Sequence, residues 1–145
     1  MSYIKETMRI TLFTISIILS ISAFGQEEIE TVNSNNFQNS YVSKIISADN
    51  ISEAEKFAKE DIENNSLFLI VPGGIAPIIY ASDFDFKSKY GVSIINFGCE
   101  PLDKKVAVAY NMKVFDLLIA NYGKKWLKEI RDDVIGLAEY KAKKE

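Results

Sequence analysis

The stretch from Leu67 to Cys99, LFLIVPGGIAPIIYASDFDFKSKYGVSIINFGC, constrains the fold more than any other part of the chain. It holds four of the seven glycines, two of the three prolines and the only cysteine. Leu67 to Val71 is five apolar residues without alternation, the pattern of a strand covered on both faces. Pro72-Gly73-Gly74 stops it, because proline offers no N–H and glycine admits positive φ. Ile75-Ala76-Pro77 continues as an apolar loop read as a tight turn under apolar neighbours, and Ile78-Ile79-Tyr80 has the composition of a second short strand. Ser82-Asp83 is read as the cap of a short helix through Tyr90, with Phe84 and Phe86 supplying apolar surface. Gly91 stands where a left-handed C-terminal residue is wanted, and Val92 to Phe97 forms the next strand. A strand, a helix and a strand in this order favour parallel pairing, with a hairpin-like arrangement as the alternative.

Helical spacing surrounds this centre. Ser52 followed three residues later by Glu55 matches a capping box for a helix over 52–64. Its apolar stripe is Ala54, Phe57, Ala58 and Ile62, and Asp61 falls among the polar residues covering the rest. Asp103 opens the longest helix, 104–122, whose apolar face runs through Val106, Ala107, Tyr110, Val114, Leu117, Leu118 and Ala120, with Asn111 on or beside it. Trp126, Leu127, Ile130 and Val134 predict another helix over 124–134. Tyr41 to Ser47 is ambiguous by period and is read as a short strand or irregular segment. The expected architecture is a mixed α/β domain over 41–140. A small two- to three-stranded sheet is covered by three to four helices, with a frayed tail at 141–145.

The N-terminus reads as a targeting segment. Lys5 and Arg9 are followed by an uncharged run, Ile10 to Phe24, and by Ala23 and Gly25 before Gln26. That is the layout of a secretory signal peptide over 1–25, and the run is shorter than the roughly twenty apolar residues of a spanning helix. The expectation is export to the periplasm or beyond, with no stable membrane span after cleavage. Residues 26–40 are polar and rich in Asn and Glu, and are read as a flexible leader.

Composition removes several chemistries. The chain of 145 residues has no histidine and one cysteine, so Ser-His-Asp and Cys-His devices, an intrachain disulfide and a thiolate or imidazole zinc cage are all excluded. No cofactor motif is present: the Gly-Gly turn is followed by neither a Walker lysine nor a GxGxxG spacing. Charge is uneven, with 5 basic and 13 acidic residues over 26–103 and 10 basic and 6 acidic over 104–145. The basic half is read as a solvated helical face rather than a nucleic-acid surface. The single Cys99, ending a strand, is read as a small buried side chain.

The pieces GGIAP, DFDFKSKYGVSIINFGC, AYNMKVFDLLIANYGKKW and KEIRDDVIGL resemble a group of small secreted proteins of Bacteroidota type, over roughly residues 50–140. The resemblance implies secretion and a single αβ domain. It brings no activity, cofactor or catalytic residue.

Two functional classes follow. The first is a non-enzymatic interaction or ligand-binding module, its partner an envelope or extracellular protein or a small molecule. The second is an enzyme acting on envelope glycans through paired carboxylates, drawn from Asp83, Asp85, Glu100, Asp132 and Asp133 with Arg131. A site in either case is expected beyond the C-terminal ends of the two strands, at Gly73, Gly74, Asp83, Cys99 and Glu100.

Overall fold

The structure is a computed structural model and describes residues 34–144 other than Pro77. The signal-peptide segment and most of the expected leader lie outside the described residues. Those described comprise α1 (Ser34–Asn39), a 3-10 helix (Tyr41–Ser47), α2 (Ile51–Glu63), β1 (Leu67–Ile70), α3 (Ala81–Tyr90), β2 (Val92–Ile95), α4 (Lys104–Tyr122), a 3-10 turn (Lys125–Lys128) and α5 (Leu137–Lys144). The fold is mixed helix and strand, with a two-stranded parallel sheet. Leu67 pairs with Val92 and Ile70 with Ile95, and the ladder is extended by the Val71 N–H donating to the Ile95 carbonyl. The β1–α3–β2 unit therefore has the parallel pairing that its order favours.

β1 is the centre of the core. Phe68, Leu69, Ile70 and Val71 are all buried, as the unbroken apolar run requires. Two neighbouring glycines differ at its end: a Cβ on Gly73 would run into the Gly98 carbonyl oxygen, whereas one on Gly74 would meet nothing. The outer edge of β1 is closed by a side chain. Asn111 on α4 is fully buried; its carbonyl accepts from the Ile70 N–H at 2.9 Å, and its amide donates to the Ile70 carbonyl and the Ile135 carbonyl, each at 2.9 Å. One carboxamide thus satisfies backbone groups that a third strand would otherwise take.

α4 and α2 pack along one another beside the sheet. α4 starts where the Asp103 carboxylate accepts from the Lys105 N–H at 2.7 Å, and stops at Gly123, whose φ is 65°. Phe115, Trp126 and Tyr140 stack into an aromatic cluster, with the Phe115 and Trp126 rings 5.4 Å apart.

Several expectations are corrected. A 3-10 helix stands where a short strand or irregular segment was expected at 41–47, because its first N–H groups are held by a carboxylate rather than by a sheet. Asp61 on α2 accepts from the Tyr41 N–H at 2.6 Å, the Val42 N–H at 2.8 Å and the Tyr110 hydroxyl at 2.6 Å. Asp61 is accordingly 1% exposed instead of solvated. Burial pushes its carboxyl above the ordinary aspartate range, against the pull of the Tyr110 hydroxyl and the two N–H donors. Residues 34–40 are folded rather than a free leader: Phe37 lies 6.2 Å from both Phe68 and Phe97, and Ser40 is buried.

The cap of α2 is Asn50, whose side chain accepts from the Glu53 N–H, while Glu53 reaches back to the Asp49 N–H. That reciprocal arrangement lies two residues before the expected Ser52–Glu55 box. The helix expected over 124–134 is only the 3-10 turn followed by bends. The Trp126 carbonyl accepts from both Glu129 and Ile130, and the chain then leaves helical geometry so that the Ile135 N–H reaches the Ile70 carbonyl. The spacing of Trp126, Ile130 and Val134 nevertheless marks buried positions, since all three are in the core. At the expected tail, α5 continues to Lys144, with Lys141 paired to Asp132 at 3.0 Å.

Candidate functional site

The residues expected to form a site separate into two groups. Gly73 and Gly74 lie against Gly98, which brings the loop after β1 onto the loop after β2 and places Cys99 and Glu100 beside them. Cys99 is exposed, a correction to the buried cysteine expected, because the turn closed by the Glu100 N–H on the Phe97 carbonyl points it out of the core. Asp83 takes a different part. It is the third residue of α3, not its cap, and its carboxylate accepts from the Tyr80 N–H at 3.1 Å. It also pairs with Arg131 at 3.0 Å.

Arg131 organises this end of the molecule. Its side chain is only 9% exposed. It forms a fork on Asp133, donates to Asp83, and donates to the Ile78 carbonyl at 3.1 Å. Its guanidinium carbon lies 4.5 Å from the centre of the Tyr80 ring. The bends after the 3-10 turn are what deliver it there, so the segment that departs from the expected helix is the one that fastens the loop.

Those contacts hold a loop that is exposed along its length. The described residues from Pro72 to Ser82 are all exposed, which corrects both the turn buried under apolar neighbours and the strand expected at 78–80. Ile75 is 96% exposed, Ile78 61% and Ile79 64%, and Tyr80 and Phe84 are each 46% exposed. The segment does not pair with β1, which has β2 on one edge and, at Ile70, Asn111 on the other. An isolated exposed apolar side chain needs no explanation; five within ten residues form a patch of the kind that marks an interaction surface. Sequence reasoning missed this patch because apolarity was its only signal, and apolarity is the signal of burial as well.

Three of the five carboxylates considered for catalysis are engaged by cations. Asp83 and Asp133 share Arg131, Asp132 pairs with Lys141, and Asp85 and Glu100 are exposed. Among the described residues no three Cys, Asp or Glu side chains converge to hold a metal ion, and no helix is long and apolar enough to cross a membrane. No family model, curated protein or solved structure matches this chain.

Proposed function

We propose that this chain is a small exported interaction module. It works by docking rather than catalysis and presents the apolar segment 72–84 to a partner in the envelope or outside the cell. The observation that supports this reading is an exposed Ile75, Ile78, Ile79, Tyr80 and Phe84 on a backbone fixed by Arg131. A surface that is both apolar and held in one conformation is suited to binding, since little ordering remains to oppose association. Export is supported by the sequence of residues 5–25, where positive charges, an uncharged run and small residues follow in order.

The test is site-specific photo-cross-linking in cells. A cross-linker replacing Ile79 is expected to give a discrete adduct that is lost when Ile75 is also changed to Ser. The same group at Lys143 on α5 is expected to give none. Identical adducts from both positions, or an adduct indifferent to Ile75→Ser, would refute docking through this loop.

A further inference from the structure

We infer that the partner of the apolar loop is a protein segment whose apolar side chains are flanked by lysine or arginine. This inference rests on the docking reading above and adds the chemistry of the occupant. The argument is the charge around the patch. Asp85 follows Phe84 directly, and Glu100 stands two residues beyond Gly98, which abuts Gly73. Both are exposed and form no ion pair among the described residues. Arg131 is outnumbered by its own partners, Asp83 and Asp133.

The cations near the patch do not cancel this. Lys87, one turn further along α3, offsets one charge; Lys105 is balanced in number by Asp103 two residues before it, and Lys104 lies within reach of Glu139. Four carboxylates (Asp83, Asp85, Glu100 and Asp133) against Arg131 and Lys87 leave the rim at −2. Complementary potential sets which partner docks and how fast, and like charges suppress the wrong ones.

The same rim argues against the other occupant such a loop suggests. A loop that inserts into an anionic lipid surface carries lysine and arginine beside its apolar residues, because the leaflet is negative. Here Asp85 follows the exposed Phe84 directly, and Glu100 stands two residues from Gly98, which abuts Gly73 at the start of the loop. A basic apolar peptide would lay its apolar side chains over Ile75, Ile78, Ile79 and Phe84 and bring its cations to those carboxylates. The half-exposed Tyr80 ring, fixed against Arg131, adds an aromatic face to the same segment.

The experiment uses the protein as the cell yields it, labelled with a fluorophore on Cys99, the only cysteine and an exposed one. The probes are an amphipathic Leu/Lys peptide, a Leu/Glu peptide with the same apolar positions, and phosphatidylcholine vesicles with and without phosphatidylglycerol. The Leu/Lys peptide is expected to bind saturably and more weakly as salt rises, and at least tenfold more tightly than the Leu/Glu peptide. Its affinity should fall at least tenfold in Ile78→Ser/Ile79→Ser and again in Asp85→Lys/Glu100→Lys. Unchanged melting temperatures would show that these exposed substitutions leave the fold intact. Equal binding of both peptides, lost only in the Ile pair, would overturn the charge assignment and leave docking standing. Binding indifferent to the Ile pair would remove the docking reading itself. Preferential binding to the anionic vesicles, again dependent on the Ile pair, would overturn the protein partner in favour of a lipid surface.

Discussion

Replacing Arg131 by Ala tests whether the exposed loop is fastened as described. The substitution removes a guanidinium that is almost wholly buried and leaves Asp83, 13% exposed at its side chain, without its cation. Breaking a fully buried pair costs about 3–5 kcal/mol, and a hydrogen bond to a charged group contributes about 1.5–3 kcal/mol. Two features reduce the figure here. Asp83 keeps the Tyr80 N–H and the favourable field of the α3 N-terminus, which is worth roughly 0.3–1 kcal/mol. Asp133 is half exposed, so its share of the fork is close to that of a surface pair, about 0–1 kcal/mol. The expected loss is therefore about 2–3 kcal/mol.

At a urea slope of about 1–3 kcal/mol per M, that loss lowers the unfolding midpoint by roughly 0.7–3 M. A second readout is local. The Ile78 carbonyl loses its donor and the Tyr80 ring its cation, so limited chymotrypsin cleavage after Tyr80 should accelerate more than global unfolding explains. Arg131→Lys keeps a charge but not the planar fork and should recover about half of the stability. A change in Arg131→Ala of less than about 0.5 kcal/mol, the level of an ordinary surface substitution, with unchanged cleavage at Tyr80, would refute the reasoning.

Three further outcomes follow from the same structure. Gly73→Ala should destabilise by more than about 1 kcal/mol by forcing the two strand-end loops apart, whereas Gly74→Ala, with open space around it, should be neutral or slightly stabilising; thermal melts of both check this. Asn111→Ala should cost about 2–4 kcal/mol in urea unfolding, because the Ile70 N–H and the Ile135 carbonyl are left in the interior without a partner. Asp61→Asn should change the pH dependence of stability. A carboxyl raised by folding contributes most below its unfolded value near 3.8 and loses that share as pH rises through its folded value, so midpoints measured from below pH 3.8 to neutrality should fall in the wild type through this group and lack that fall in the variant.

Much of the fold was legible because it rested on contrasts that survive without context. The unbroken run Leu67–Val71 has the pattern of a covered strand, and Asp103 and Gly123 bracket α4 by chemistry that acts within one turn. What was not legible depended on contacts far along the chain. Asp61 sits at the spacing of Ala54 and Ala58 on α2 and could have been placed on the inner face by period alone. Its charge argued the opposite until its three donors were known, two of them 19 and 20 residues away and the third 49. The 3-10 helix at 41–47 was unreadable for the same reason, since the group that caps it belongs to another element. Arg131 and Asp133 enter the sequence reading only with the carboxylate-enzyme alternative, and the pairing of Arg131 with Asp83 across 48 residues is a contact that no local pattern announces. Of the site residues, Gly73, Gly74, Cys99 and Glu100 were brought together by the parallel pairing of β1 and β2, which order alone suggested.

The stretch that looked like one hydrophobic centre is two surfaces with opposite destinations. Phe68–Val71 and Val92 enter the core, while Ile75, Ile78, Ile79 and Tyr80 stay exposed. The division follows from edges. A parallel pair can admit a third strand only where N–H and C=O groups are open, and the Asn111 carboxamide with the Ile135 N–H already occupies Ile70. Residues 78–80 therefore had no place on β1, and the chain fixed them by Arg131 at the surface. The fastening uses the Ile78 carbonyl, the Tyr80 ring and Asp83, and none of the side chains of Ile75, Ile78 or Ile79. Those three take no part in the fastening, and the docking proposed for this loop would account for their apolar character.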